Sequence, residues 1–248
     1  MGGLGGAFAV LALLLIPTAC GAVADEAEPA ASRQQLKPTA SPGPTGPDVR
    51  PLPPQDEEYV VLKAARYALP LPPFLITAVD VPDSWSVHQG HYLSAGPIAR
   101  GDGQLFVAPA PEDSTAVPAD PCRDHQRYTV VGPTERALAT ALSRQPFLDV
   151  SPPERVVIGG RVGAFVRVEV PADAEIMGCA DRAVDLYTQG AREDAWRVAT
   201  AGYVVRLWIL DVDGERYVVH AESGPDATRR DVAVLRRMVE SITFERVG

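Results

Sequence analysis

The chain has 248 residues, of which 46% are apolar, and its 32 acidic and 23 basic side chains leave a formal net charge of −9. This length is enough for one domain with a substantial hydrophobic core. The acidic balance argues against a nucleic-acid partner, because phosphate binding requires clustered lysine and arginine side chains.

The N-terminus has the layout of an export signal. Residues 1–24 contain no charged side chain, and the apolar stretch Ala7–Ile16 is followed by Pro17. A membrane-spanning helix needs about 20 apolar residues, so a stretch of this length is typical of a signal peptide. The usual positive charge at the start of the signal is missing, because no Lys or Arg precedes Arg33. We predict export, with an uncleaved membrane anchor as the alternative.

Two processing sites compete after this signal. Thr18–Gly21 (TACG) resembles a bacterial lipobox, in which the thiol of Cys20 accepts a diacylglycerol, although Pro17 stands where leucine is usual. Ala22–Ala24 fits the small-x-small pattern of ordinary signal peptidase, which would release a freely secreted protein cut after Ala24. We predict that Cys20 is lipidated and that residues 1–20 are the signal peptide with its lipobox, and we keep cleavage after Ala24 as the alternative.

A proline-rich segment separates the signal from the rest of the chain. Residues 21–58 hold eight prolines and almost no large apolar side chain. Such a segment cannot bury enough surface to offset the entropy of ordering, so it is expected to be a disordered tether. A tether of this kind would hold a domain clear of a membrane surface. We therefore assign 21–58 to a tether and 59–248 to a single folded domain.

The cysteines support an extracytoplasmic location. Once Cys20 is lipidated or removed, Cys122 and Cys179 remain as an even pair in an oxidising compartment. We predict a disulfide between them, with two buried free thiols as the alternative. In the chain-entropy model, closing a loop of this length stabilises the folded state by about 4 kcal/mol.

The first elements of the domain are short. Phe74–Val79 and Gly103–Val107 read as strands, whereas the prolines of 108–121 predict a loop. Thr134–Ser143 has the apolar spacing of a helix, and Pro133 and Glu135 suit its first turn.

A first hairpin follows this helix. Arg155–Ile158 and Arg161–Val170 flank Gly159–Gly160, a favourable two-residue turn. Period-two alternation in the second arm predicts one buried face, formed by Val162, Ala164, Val166, Val168 and Val170.

A second hairpin is predicted over Tyr203–Val212 and Glu215–Glu222, around the type I′ turn sequence Asp213–Gly214. Counting outward from the turn pairs Asp211 with Arg216, Leu210 with Tyr217, Ile209 with Val218, and Trp208 with Val219. One face then consists of Trp208, Leu210, Val212, Tyr217 and Val219. This face needs a cover, while the other face mixes apolar and polar side chains.

The last helix supplies a candidate cover. Thr228 and Asp231 fit a capping box, and apolar residues recur at helical spacing from Val232 to Ile242. Short strands combined with two helices predict an α+β fold, with a mainly antiparallel sheet and flanking helices.

The residues that could carry chemistry have simpler explanations. His88, His91 and His125 are the candidate metal ligands, but residues three apart in a strand point to opposite sides, so we expect surface histidines and no metal. The acidic residues of 211–222 are spaced like the ligands of a calcium-binding loop. Such a loop needs glycine at its sixth position, where this chain has Arg216. We expect the three tryptophans to lie in the core, and the sequence contains no catalytic motif.

Three stretches of the domain together resemble the PsbP-like fold. They are Val81–Trp85 (VPDSW), the hairpin 211–223 (DVDGERYVVHAES) and the helix end Val239–Phe244 (VESITF). Among members of that fold the chain is most similar to actinobacterial lipoproteins of the LpqN type. The resemblance implies a central antiparallel sheet with helices on its faces, in proteins that act as binding or assembly factors. It assigns no functional residue to this chain.

These observations predict a lipoprotein on the outer face of the cell membrane that binds an unknown protein or envelope ligand. We expect no enzymatic activity, no cofactor and no nucleic-acid partner. A freely secreted domain and an uncharacterised envelope enzyme remain the alternatives.

Overall fold

The computed structural model describes residues 48–53, 59–71, 75–96, 103–189 and 195–246. All of them belong to one compact unit, Pro38–Gly248. The predicted signal peptide, Cys20, Ala24 and most of the predicted tether lie outside the described residues. Val49–Pro51 falls within the predicted tether and forms a strand in this structure.

Within these ranges the chain forms seventeen strands and two α-helices. The strands are β1 (Val49–Pro51), β2 (Val60–Val61), β3 (Ala65–Leu71), β4 (Leu75–Val81), β5 (Ser86–His88), β6 (Tyr92–Ser94), β7 (Gln104–Pro109), β8 (Ala116–Asp120), β9 (Asp124–Val130), β10 (Asp149–Val150), β11 (Glu154–Ile158), β12 (Arg161–Glu169), β13 (Val184–Thr188), β14 (Ala195–Val198), β15 (Val204–Val212), β16 (Glu215–Ser223) and β17 (Thr243–Arg246). The helices are α1 (Glu135–Leu142) and α2 (Arg229–Glu240).

The strands form three sheets. The central sheet has nine strands, in the order β10-β12-β15-β16-β7-β6-β5-β2, with β11 also paired to β12. The α2-side sheet has the order β1-β3-β4-β17, and the α1-side sheet has the order β14-β13-β8-β9. The pairing of β1 with β3 is parallel, and the pairs within the central sheet are antiparallel.

The predicted α+β fold class is wrong. Strands make up 49% and helices 15% of the structure, so the fold is β-rich and does not consist of one sheet with flanking helices. The physical reason lies in how the central sheet is covered. Each of its faces packs against a second sheet as well as one helix, and no local pattern shows whether a sheet face is covered by strands or by helices.

The two predicted hairpins are confirmed. In β15 and β16 the partners are Asp211 with Arg216, Leu210 with Tyr217, Ile209 with Val218, and Trp208 with Val219, as counted from the turn. Asp213 and Gly214 both have positive φ, which a type I′ turn requires. In β11 and β12 the turn is Gly159–Gly160, also with positive φ at both positions.

The prediction of one buried face on β12 is confirmed over most of the strand. Ala164, Val166 and Val168 are buried, and so is Val170, which follows directly. Val162 is the exception, because it is 41% exposed at the turn end of the hairpin.

Both helices begin at the predicted positions. The side chain of Thr134 caps α1 by accepting from the amide of Ala137 at 3.1 Å. Thr228 and Asp231 form the predicted capping box of α2.

The predicted loop 108–121 contains strand β8, so that prediction is wrong in part. Pro118 tolerates this position because β13 pairs with β8 only at Ala116, and a register shift on the β9 side follows Pro118. The proline therefore does not remove a hydrogen bond from a regular ladder on both sides.

Two hydrophobic cores lie on opposite faces of the central sheet. The α2-side core packs Leu210 and Val219 against Leu235 and Met238 of α2 and against the α2-side sheet. This confirms α2 as the cover of the predicted face.

The α1-side core packs Ile209 and Val218 against Leu138 of α1 and against Leu186 in the α1-side sheet. The face of the second hairpin that mixes polar and apolar side chains is therefore buried as well. Polar residues on a buried sheet face make its sequence pattern resemble that of a solvated face. The pattern therefore does not reveal that the face is buried.

Candidate functional site

A groove of about 540 Å³ lies between α2 and the central sheet. Helix α2 packs mainly on β16 and β4, and β11 and β12 lie at the edge of the central sheet beside it. The sheet is wider than one helix can cover, so part of its face remains open. The lining residues are Glu154, Val156, Val157, Ile158, Phe165, Arg206, Trp208, Ala221, Val232, Leu235, Arg236 and Glu240.

An aromatic pair forms the floor of the groove. Phe165 of β12 and Trp208 of β15 are cross-strand partners, and their ring centroids are 5.0 Å apart with the planes tilted by 46°. Both rings are half-buried, and Trp208 packs against the α2-side core. The prediction that Trp208 is a core residue therefore describes one side of its ring, because the other side lines the groove.

Arg206 lies beside this pair on the same face of β15. One guanidinium nitrogen donates to Ser223 Oγ at 3.0 Å. In the part of the chain that the structure describes, no carboxylate contacts Arg206. Burial lowers the pKa of Arg206, the nearby Arg167 lowers it further, and Glu169 acts in the opposite direction. A half-buried cation without an anionic contact is unfavourable, which makes Arg206 a natural partner for an anion.

The other charges at the groove are paired or exposed. Arg167, the cross-strand neighbour of Arg206, forms an ion pair with Glu169. Arg236 of α2 donates to Glu240 at 2.7 Å, and both side chains are largely exposed. Glu154 is exposed at the start of β11.

A second group of polar side chains lies buried on the α1 side of the central sheet. The hydroxyl of Tyr187 contacts His220 Nε2, and His220 Nδ1 lies 3.3 Å from Glu222 Oε1. Tyr203 donates from its hydroxyl to Glu222 Oε2 at 3.1 Å. Tyr187 and His220 are 0% exposed and Glu222 is 3% exposed, so the chain from Tyr187 to Glu222 is closed to solvent.

Burial dominates the electrostatics of this network. It lowers the pKa of His220, against the opposing effect of Glu222. Burial also raises the pKa values of Tyr187 and Tyr203, and the charge of Glu222 adds to both shifts. Neutral His220 can accept from Tyr187 at Nε2 and donate to Glu222 from Nδ1. The arrangement can hold a proton, but it presents no reactive atom to a substrate.

The disulfide predicted between Cys122 and Cys179 is present. Their Cα atoms are 4.6 Å apart, and the amide of Ala180 donates to the carbonyl of Cys122 at 2.7 Å. The bond joins the turn between β8 and β9 to the segment before β13, and both cysteines are buried in the α1-side core.

An ionic cluster lies close to this disulfide. Asp185 is 0% exposed and accepts from Arg197 Nε at 2.8 Å and from the hydroxyl of Tyr128. His125 Nε2 contacts the carbonyl of Pro121 at 2.9 Å, and its Nδ1 lies 3.6 Å from Asp185 Oδ2. These contacts hold β9, β13, β14 and the turn between β8 and β9 together.

The three histidines considered as metal ligands do not converge. His88 stacks on Tyr59 with ring centroids 4.6 Å apart, and His91 packs on Tyr92 at 4.1 Å. His125 is only 1% exposed, so the expectation of a surface histidine is wrong for this residue. Across the described ranges, no group of three or more His, Cys, Asp or Glu side chains could hold a metal ion.

Arg216 occupies the position at which a calcium loop would need glycine. It is 6% exposed, and its guanidinium donates to the carbonyls of Ala110, Pro111, Gly132 and Thr134 at 2.6–3.2 Å. Arg216 therefore holds the loop after β7 and the loop before α1 in place. The hairpin turn itself is stabilised by the amide of Gly214, which donates to Asp211 Oδ1 at 2.7 Å.

Sequence patterns point to only part of the groove. Period-two alternation from Leu210 and Trp208 places Arg206 on the same face, and this signal is available without a structure. The pairing of Phe165 with Trp208 depends on β12 lying beside β15, which no local pattern specifies.

No protein-family model matches this chain, and no curated protein matches it in sequence. Nothing in these comparisons supports the resemblance to the PsbP-like fold or to lipoproteins of the LpqN type. None of the helices in the described ranges is both long enough and apolar enough to cross a bilayer.

Proposed function

We propose that this protein is an extracytoplasmic binding module, tethered to the outer face of the cell membrane through a lipid on Cys20, that holds its ligand in the groove between α2 and the central sheet. The groove carries the proposal. Concave sites of this size, lined by apolar and aromatic side chains with a few polar groups, are typical of ligand-binding sites.

The disulfide supports the proposed location. Disulfides persist in oxidising compartments and are rare in reducing ones. The bond between Cys122 and Cys179 therefore agrees with a protein that is exported before it folds. It is equally compatible with a freely secreted form cut after Ala24.

Membrane attachment is tested by replacing Cys20 with alanine. We expect the wild-type protein in the membrane fraction with a lipid on its N-terminal cysteine, measured by intact mass. Cys20→Ala should leave the membrane fraction, and a variant that stays membrane-bound and unprocessed would show that the anchor is something else. A wild-type mature protein that begins at Asp25 without a lipid would contradict the tether and favour the secreted alternative.

Ligand binding is tested by filling the groove. Val232 is a half-buried groove residue on α2, so Val232→Trp should displace a ligand that co-purifies with the wild-type protein and is detected by native mass spectrometry. Arg230→Trp is the matched control, because Arg230 is exposed on the same helix. A ligand retained equally by both variants would show that the groove is not the binding site.

A further inference from the structure

We propose that the groove binds a fatty acid, with its carboxylate at Arg206 and its alkyl chain running along the sheet towards Ile158. This inference rests on the proposed function and deepens it, because it names the class of ligand for the same groove.

The groove has a polar end and an apolar end. Strand β12 runs along the floor of the groove, and its cross-strand pairs mark positions along it. Arg167 lies opposite Arg206 of β15, Phe165 lies opposite Trp208 of β15, and Arg161 lies opposite Ile158 of β11. The distance from Arg167 to Arg161 is six residues of β12, or roughly 20 Å at the usual rise of a strand. This length suits an extended single-chain amphiphile.

Most of the side chains that line the groove beyond the polar end are apolar. Past Phe165 and Trp208, the sheet contributes Val156 and Ile158 to the lining, and α2 contributes Leu235. An alkyl chain in this part of the groove would bury its methylene groups against apolar carbon, which is the main favourable term for such ligands. The charged pair Arg236–Glu240 is on the exposed rim of α2, so it need not be desolvated.

The charges at the polar end favour a head group with one negative charge. Arg206 is the cation in the described lining that has no carboxylate contact, since Arg236 is paired with Glu240 and the adjacent Arg167 is paired with Glu169. A phosphate with two negative charges would need a second free cation, and the other cation in the described lining, Arg236, is already paired.

A carboxylate also fits the geometry of the available donors. Arg206 uses one nitrogen for Ser223 Oγ, which leaves donors for a charge-assisted bond to a carboxylate. Such bonds are strengthened when water is partly excluded, as it is beside Phe165 and Trp208. The ligand would supply the anionic contact that the described residues do not give to Arg206.

The test measures binding of radiolabelled palmitate by equilibrium dialysis, using the full chain with Cys20→Ala so that it carries no lipid of its own. Cetyl alcohol is the neutral competitor of the same length. We expect Arg206→Met to weaken palmitate binding about tenfold or more, which is typical for loss of a charge-assisted bond, and Arg206→Lys to retain most of it. Cetyl alcohol should compete equally well against both Arg206 variants.

Two variants control for indirect effects. Arg237→Met removes an exposed cation of α2 that does not line the groove, and it should leave palmitate affinity unchanged. Val232→Trp should abolish binding of both palmitate and cetyl alcohol, with an unfolding midpoint close to that of the starting protein.

Three results would overturn the inference. They are no palmitate binding, equal palmitate affinity for Arg206→Met and the starting protein, or undiminished binding in Val232→Trp. If the groove variant loses a co-purified ligand while Arg206→Met keeps full palmitate affinity, the fatty-acid assignment fails but the proposed binding function stands.

Discussion

The two faces of the central sheet are both buried, yet they are built differently. Val218 and Val219 are neighbours on β16, both 0% exposed, and they belong to opposite cores. Among the described residues, the buried acids, bases and histidines all lie on the α1 side, as His125, Asp185, Arg216, His220 and Glu222. The α2 side is stabilised by apolar packing, with a groove left open at its edge.

This difference explains what each face can do. Buried charges and histidines must satisfy one another through specific hydrogen bonds, so the α1 side has little freedom to admit a ligand. Apolar contacts are not directional, and the α2 side can leave part of its surface uncovered at modest cost. The α1 side is therefore expected to provide stability and the α2 side to provide binding.

The largest effect should come from the disulfide in the α1-side core. Replacing Cys122 and Cys179 together with alanine should lower the free energy of unfolding by about 4 kcal/mol, because the unfolded chain regains the entropy of an open loop. Urea unfolding of the oxidised protein and of the double variant measures this loss. A change of less than about 1 kcal/mol would mean that the disulfide does not restrict the unfolded chain as this model assumes.

Breaking the buried network should cost nearly as much. His220→Leu removes the acceptor of the Tyr187 hydroxyl and the partner of Glu222 Oε1, so both buried groups lose a hydrogen bond. The expected loss is about 3 kcal/mol of unfolding free energy, measured by urea denaturation. His91→Leu is the control, because His91 is half-buried near the surface and should change stability little. Equal effects of the two variants would contradict a stabilising role for the network.

The paired valines test whether both faces are true cores. Val218→Ala and Val219→Ala should each destabilise the protein by about 2 kcal/mol, because each removes fully buried methyl groups and leaves a cavity. The two variants are compared by the same urea titration. If only Val219→Ala destabilises, then the α1 face of β16 is solvated, as its mixed sequence pattern suggests.

The smallest effect is a pH dependence that depends on His220. Burial holds the pKa of folded His220 below its ordinary value of 6.5, so below that pH the unfolded chain binds more protons than the folded chain. The free energy of unfolding should fall as pH falls from about 6.5 to about 5, by at most about 1.4 kcal/mol per pH unit from this residue.

Urea unfolding across this pH range measures the slope. His91 contributes in the same direction, because burial also lowers its pKa, so His91→Leu should remove a smaller part of the slope than His220→Leu. An unchanged slope in His220→Leu would show that another group is responsible.

Local patterns predict the elements whose signal is complete within a short stretch. Asp213–Gly214 determines the turn and hence the register of β15 and β16, and Thr228 with Asp231 determines where α2 begins. The spacing of Leu235, Met238 and Val239 identifies the face of α2 that is buried. Two cysteines left for one disulfide are enough to predict their pairing.

Other features cannot be predicted because they depend on partners distant in sequence. Strand β8 contains a proline and exists because β9 and β13 lie beside it. His125 reads as a surface residue, but it is buried by contacts with Pro121 and Asp185. The predicted fold class is wrong for the same reason, because the residues of a sheet face do not specify whether strands or helices cover it.

The sequence by itself determined the turns, the helix caps, the alternation of the long strands and the cysteine pair, because each follows from the chemistry of adjacent residues. The tertiary structure alone decided that the mixed face of the second hairpin is buried and that the other face ends in an open groove. Both outcomes depend on how much of a nine-stranded sheet two short helices and two smaller sheets can cover. The area of the central sheet and the area that these elements cover are defined only when the chain has packed.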